Sequence, residues 1–171
     1  MKFRCERDAL VEQLSTASRA VSSRGGALPV LTGIHLKAHK ETLTMTGSDL
    51  EITVRASVAV DVKESGEAVL PSRIVVDIIR SLDSGAVEVE VSGEEAKISG
   101  GRSQFSVRTL PVDDFPALSD PSGDQVTVAT ADLAAGLKQV VRAASGRSHD
   151  LLQPSCKICS SDCYLISRRV T

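Results

Sequence analysis

The chain has 171 residues, with 20 Lys and Arg against 22 Asp and Glu for a formal net charge of −2, and is 42% hydrophobic. That length holds one ordinary core, or one domain plus the beginning of a second, and the composition lies far from the low-hydrophobicity signature of disorder. A slightly negative chain is excluded from holding nucleic acid by bulk attraction, so any DNA contact has to come from a local basic face. With three Phe, one Tyr and no Trp, little is left for the base stacking on which single-strand binders rely. No run approaches the roughly 18 apolar residues of a membrane span. Met1 to Arg24 alternates charged and apolar residues where a signal peptide would be apolar, and a cytoplasmic location is expected.

Met1 to Glu6 reads as a short strand. Arg7 to Val21 follows with Leu10, Leu14, Ala17 and Val21 at helical spacing, and Ser22-Ser23-Arg24-Gly25-Gly26 supplies the stop. A meander of β-favouring stretches is predicted over Leu31 to Ala38, Thr42 to Thr46 and Leu50 to Val62. Gly66 to Leu70 is a further strand, and Pro71 opens a second helix. Its Ile74, Val75, Ile78, Ile79 and Leu82 are expected to face a core, with Arg73, Asp77 and Arg80 on the other side. Ala86 to Val91, Ala96 to Ser99 and Gln104 to Leu110 complete the strands. The sum is an α+β domain over 1–120, two helices on an antiparallel sheet.

After Pro121-Ser122-Gly123 the pattern starts again. Val126, Val128, Leu133, Leu137, Arg142, Ala143, Ser145 and Arg147 repeat Phe3, Cys5, Leu10, Leu14, Arg19, Ala20, Ser22 and Arg24 at one offset, 126 − 3 = 123. Residues 121–145 therefore read as a linker and the strand and helix that begin a second domain. Residues 146–171 do not continue the repeat. They carry Arg147, Lys157, Arg168 and Arg169 against Asp150 and Asp162, 4 − 2 = +2, and are expected to form a divergent, poorly ordered tail.

No residue set makes a case for catalysis, and no cofactor is expected. Cys156, Cys159 and Cys163, with His149 nearby, approach metal-ligand spacing, but a single cluster supplies three thiols without a second pair, and reduced thiols are the expected state. His35 and His39 lack a triad partner. Asp49 and Glu51, like Asp113 and Asp114, sit beside turns where acidic residues are common. Gly25-Gly26 and Gly100-Gly101 lack the spacing of a phosphate loop and read as turns. Arg19, Arg24, Arg73 and Arg80 lie on the polar sides of the two helices or just beyond one of them. They form either a stripe that meets phosphates or a solvated surface with a helical Arg73–Asp77 pair.

Several segments together resemble the bacterial DNA polymerase III beta subunit. They are Met1 to Arg7, Leu28-Pro29-Val30-Leu31-Thr32-Gly33, Leu43 to Glu51, Val69-Leu70-Pro71-Ser72-Arg73, Gly101 to Ser106 and Thr109 to Pro116. The resemblance covers about residues 1–145 in collinear order. It implies the DNA-clamp fold: a ring of two subunits, each of three similar domains, with helices lining a central hole and sheets outside. The ring encircles duplex DNA without reading its sequence and confers processivity on the replicative polymerase as a non-catalytic subunit.

Carried over by position, Arg24 matches a DNA-contacting arginine after the first helix and Arg73 begins the second inner helix, with Arg19 and Arg80 following from helical position. Phe105 and Val107 fall on the edge strand that pairs with another subunit, with Arg102 beside them as an ion-pair donor. The family chain is more than twice as long, so this chain reads as truncated inside the second domain, without the pocket that receives polymerase and clamp loader. A clamp-derived module that binds another clamp subunit without encircling DNA is the second reading. A metal-dependent protein using the cysteine tail is the third.

Overall fold

The computed structural model describes residues 1–22, 28–117 and 127–140, together with the backbone of 164–167. Two compact units are present, Met1–Leu118 with Asp162–Thr171, and Ser119–Ser161. In the first, β1 (Lys2–Glu6) runs directly into α1 (Arg7–Ser18), which buries Leu10, Leu14 and Ala17. The sequence pattern extended this helix to Val21, but the chain tightens after Ser18. The amide of Ala20 donates to the Ala17 carbonyl at 3.3 Å and that of Val21 to the Ser18 carbonyl at 3.2 Å, the three-residue spacing of a terminal 3₁₀ turn.

A short 3₁₀ turn (Pro29–Thr32) then leads into β2 (Gly33–His39) and β3 (Thr42–Ser48). β2 starts two residues later than its β-favouring run, because proline sets up a turn there. β3 runs two residues beyond Thr46, through Gly47 and Ser48, which the sequence assigns to a turn. Gly47 lies where any side chain would collide with the backbone carbonyl of Ala17, so the missing Cβ lets α1 lie against the strand. Ser48 is fully buried, its hydroxyl 2.9 Å from that of Thr53 and within hydrogen-bond reach of the Leu50 amide and Ile52 carbonyl.

The predicted single strand from Leu50 to Val62 is two strands, β4 (Ile52–Ala59) and β5 (Asp61–Glu64), and they belong to different sheets. The crossing point is Val60, which is buried and whose amide donates to the Glu41 carbonyl at 2.9 Å. Alternation persists through the junction, so periodicity carries no sign of the change of sheet. Then come β6 (Gly66–Pro71), α2 (Ser72–Ser81), β7 (Ala86–Ser92), β8 (Glu95–Gly100) and β9 (Ser103–Arg108). Helix α2 buries Val75, Val76 and Ile79, and Leu82 just beyond it is also buried. Ile74, expected in the core, is 53% exposed. Its neighbour Val76 takes the inward place, because the buried stripe sits one position round the helix from the predicted one.

All strand pairs are antiparallel, and the sheet predicted from sequence takes the form of two five-stranded sheets, ordered β5-β1-β7-β8-β9 and, with β10 (Tyr164–Ser167) at one edge, β10-β4-β3-β2-β6. Their inner faces and both helices enclose one core, with Phe3, Val87, Val89 and Ile98 from the first sheet, and Ile34, Leu36, Leu43 and Met45 from the second. A smaller cluster of Val30, Leu31 and Val69, with Leu110, Val112 and Phe115 against it, lies apart from this core. β10 (Tyr164–Ser167) falls in the tail expected to be poorly ordered, and its backbone pairs with β4.

In the second unit, α3 (Thr130–Val140) forms where the repeat calls for a helix. Val128, expected in the strand before it, is irregular. Val126, Arg142, Ala143, Ser145 and Arg147 of the repeat lie outside the described residues, as do His149, Cys156, Cys159 and Cys163. Among the described residues no group of His, Cys, Asp and Glu is placed to hold a metal. None of their helices is long and apolar enough to cross a membrane.

Candidate nucleic-acid interface

Helices α1 and α2 pack side by side, and reciprocal arginine contacts join them. Arg7, the first residue of α1, reaches the end of α2. Its Nε donates to the Ile79 carbonyl at 3.3 Å and its Nη2 to the Arg80 carbonyl at 3.0 Å. The Ile79 carbonyl also accepts from the Leu82 amide at 3.4 Å, and both carbonyls lie in the last turn of α2, at the negative end of its dipole, so a cation is stabilising there. The Arg7 amide also donates to the Gly85 carbonyl at 2.9 Å, and its Nη1 to Asp8 at 2.9 Å. In return the Arg80 Nη2 donates to the Ser15 hydroxyl on α1 at 2.9 Å.

Of the four arginines singled out from sequence, Arg19, Arg73 and Arg80 are exposed. Arg19 is the residue after α1 and Arg73 lies in the first turn of α2. Among the described residues neither side chain is engaged, and the Arg73–Asp77 pair considered from sequence does not form. Arg80 is tied to Ser15. Arg24 lies outside the described residues.

With their cap residues, α1 and α2 carry Arg7, Arg19, Arg73 and Arg80 against Glu6, Asp8, Glu12 and Asp77, 4 − 4 = 0. This balance is less negative than the −2 of the whole chain. Such a surface meets a phosphate backbone without neutralising many charges, which keeps binding weak and salt-sensitive. Arg7 and Ser15 were not picked out from sequence. The only signal was an arginine at a helix start, a position that ordinarily disfavours cations and makes sense only with α2 against it.

On the first sheet, β9 is an edge strand paired on one side with β8, Ile98 opposite Phe105 and Ala96 opposite Val107. Phe105 and Val107 point to the same face. Val107 is buried in the core, so its side chain is not available to a partner, whereas Phe105 is 36% exposed. Arg102 is exposed in the turn between β8 and β9, beside Gly101 with its φ of +57°, and makes no ion pair among the described residues.

A polar cluster on the outer face of the second sheet also escaped the sequence reading. Glu67 lies 3.2 Å from His35 Nε2 and 2.6 Å from Lys37 Nζ, and the His35 ring stacks on Phe115 with centroids 5.1 Å apart. Lys37 holds the Glu67 carboxyl below its usual range, and burial lowers the pKa of His35 against the opposing pull of Glu67. The group sits in an open cleft of about 490 Å³ that Thr44, Thr46 and Arg55 also line. No nucleophile with an activating base is found there. Asp49 serves its turn, its Oδ1 accepting from the amides of Glu51 and Ile52 at 3.0 and 2.8 Å. Cys5, buried in the core, has its thiol pushed up to about 12 by desolvation, which makes it unreactive.

Comparison with known proteins agrees with this architecture. Residues 1–119 match the DNA polymerase III beta subunit, N-terminal domain. The chain is 37% identical over 151 residues to the beta sliding clamp of Streptomyces coelicolor, covering 88% of this chain and 40% of the relative. It is 41% identical over 122 residues to that of Escherichia coli, covering 70% and 33%. Among solved structures, the DNA polymerase sliding clamp of Bacillus subtilis superposes with a TM-score of 0.79 at 30% identity over 85% of this chain and 41% of that one. The DNA polymerase III subunit beta of Pseudomonas aeruginosa gives 0.76 at 31%, over 81% and 38%. The chain thus spans about two fifths of the length of these relatives, and it belongs to the DNA polymerase III beta subunit family, whose N-terminal domain it carries.

Proposed function

We propose that this chain supplies the DNA-facing first domain of a sliding clamp, a non-catalytic processivity subunit that works in the cytoplasm with a replicative polymerase and its clamp loader. The observation that carries the reading is the α1–α2 pair, two helices cross-linked by Arg7 and Arg80 with Arg19 and Arg73 left exposed. Its balanced charge with exposed arginines suits retention by topology, in which the duplex is held loosely and no base is read. Arg24, Arg73, Arg19 and Arg80 are the proposed phosphate contacts. In a full-length clamp carrying this domain, Arg73→Ala is expected to weaken DNA binding equally for all sequences and to lower the salt slope by about 1. Arg24→Ala is expected to weaken retention on DNA at little cost in stability.

Residues 121–145 are proposed to begin a second clamp domain, supported by α3 at the position the 123-residue offset requires. The direct test is size-exclusion chromatography with light scattering, with and without circular and linear duplex DNA. A ring-sized assembly retained on circular DNA and lost from linear DNA would support encirclement by this chain. A monomer indifferent to both would overturn encirclement by this chain.

One observation favours the second reading, an interaction module that binds another clamp subunit. Among the described residues β9 has an open edge, with Phe105 partly exposed and Arg102 in no ion pair next to it. Main-chain pairing along such an edge needs no ring. Phe105→Ala is then expected to weaken association with a full-length clamp subunit, measured by titration.

A further inference from the structure

We propose that Tyr164–Ser167 is a built-in guard of the β4 edge, which keeps a second copy of this chain from pairing there. Strand edges attract other strands, and proteins defend them by shortness, charge, proline, bulges or a cover. Three of the other edges are readily classified. β5 is four residues long, three of them charged (Asp61, Lys63 and Glu64). β6 is bridged by Leu110, whose amide donates to the Val69 carbonyl at 2.8 Å. β9 is open.

β4 has little intrinsic defence. It is eight residues long, Ile-Thr-Val-Arg-Ala-Ser-Val-Ala, with one charge and no proline. It pairs with β3 in unbroken register from Ser48–Thr53 to Thr42–Ala59, without a bulge to twist it away. Four of its residues, Ile52, Thr53, Val54 and Val58, are β-favouring types that suit a recruited strand. Its outer side is covered by β10, with Tyr164 opposite Arg55, Leu165 opposite Val54, Ile166 opposite Thr53 and Ser167 opposite Ile52. The guard comes from beyond the family match, which ends at residue 119, and Ala56 to Ala59 extend past it.

Hydrogen exchange on the whole chain tests this, using Leu165→Pro and Ile166→Pro as separate variants. In an antiparallel ladder adjacent residues turn their amides to opposite sides, so one of the two prolines removes a donor to β4, and either distorts the strand. Unchanged protection in β2 and β3 shows that the fold is intact. The parent is expected to protect residues 52–55 equally at all concentrations. In dilute solution at least one variant is expected to exchange there about tenfold faster or more, and to regain protection over 52–59 on concentration, as copies pair through β4. Identical exchange in the parent and both variants would overturn the guard. So would a loss of protection that concentration does not restore, because the bare edge would then recruit nothing.

Discussion

Helices α1 and α3 carry the same apolar pattern 123 residues apart and meet opposite fates. In α1, Leu10, Leu14 and Ala17 are at most 1% exposed. Their counterparts in α3, Leu133, Leu137 and Val140, are 52%, 40% and 60% exposed. Periodicity specifies which face of a helix is apolar. Burial of that face depends on what lies opposite. α1 has β3, β4 and α2 against it, and draws its stability from that packing, since a helix of its 12 residues is marginal alone.

Five substitutions test this contrast. Leu14→Ala removes a fully buried side chain and is expected to lower unfolding free energy by about 2–5 kcal/mol in urea titration. The equivalent change, Leu137→Ala, is expected to cost less than about 0.5 kcal/mol in the same titration. Equal losses would mean that α3 is packed as firmly as α1.

Gly47→Ala tests the contact from the strand side. The added methyl meets the Ala17 carbonyl carbon and oxygen, backbone atoms that cannot swing aside, and a loss of about 1–3 kcal/mol is expected by thermal or urea unfolding. A neutral result would contradict the close approach of α1 to β3. Arg7→Ala removes a charged donor from the Ile79 and Arg80 carbonyls, leaving Ile79 only the Leu82 amide, and is expected to cost about 1–2 kcal/mol. Thr130, at the matching position in α3, is expected to tolerate alanine without measurable change in melting temperature.

The smallest effect lies away from both helices. Burial lowers the pKa of His35 from 6.5, with Glu67 acting against it, so the folded chain takes up this proton less readily than the unfolded chain does. Its contribution to stability is therefore complete above 6.5 and declines as pH falls from there through the lower folded value. Urea midpoints between pH 8 and 5 are expected to drift down in the parent and less so in His35→Gln. Parallel drifts would assign the dependence to other groups. Glu67, lowered chiefly by Lys37, adds a stabilising contribution that is lost only at more acidic pH, below its ordinary 4.5.

Much of the fold was legible because local chemistry and tertiary role coincide. Alternation located the strands, Pro71 marked the start of α2, and Leu10, Leu14 and Ala17 were correctly placed in the core. The candidate interface was legible in part. Arg19, Arg73 and Arg80 are exposed as their helical positions imply, but the attachment of Arg80 to Ser15 and of Arg7 to α2 joins residues more than sixty positions apart, a relation no local window contains. Val107 shows the same limit: its place on an edge strand was readable, while the inward direction of its side chain was not.

By itself the sequence determined the family, the order of helices and strands, the apolar face of α1 and the repeat at 123 residues. These follow from residue type and spacing along the chain. The tertiary structure decided that β4 and β5 part at Val60 into different sheets, that Val76 and not Ile74 turns inward, and that Gly47 is the point where α1 can approach β3. It also decided that α1 is buried while α3 is exposed. Each of these depends on which distant surface is available to remove apolar area from water, and chain-local pattern carries no record of that surface.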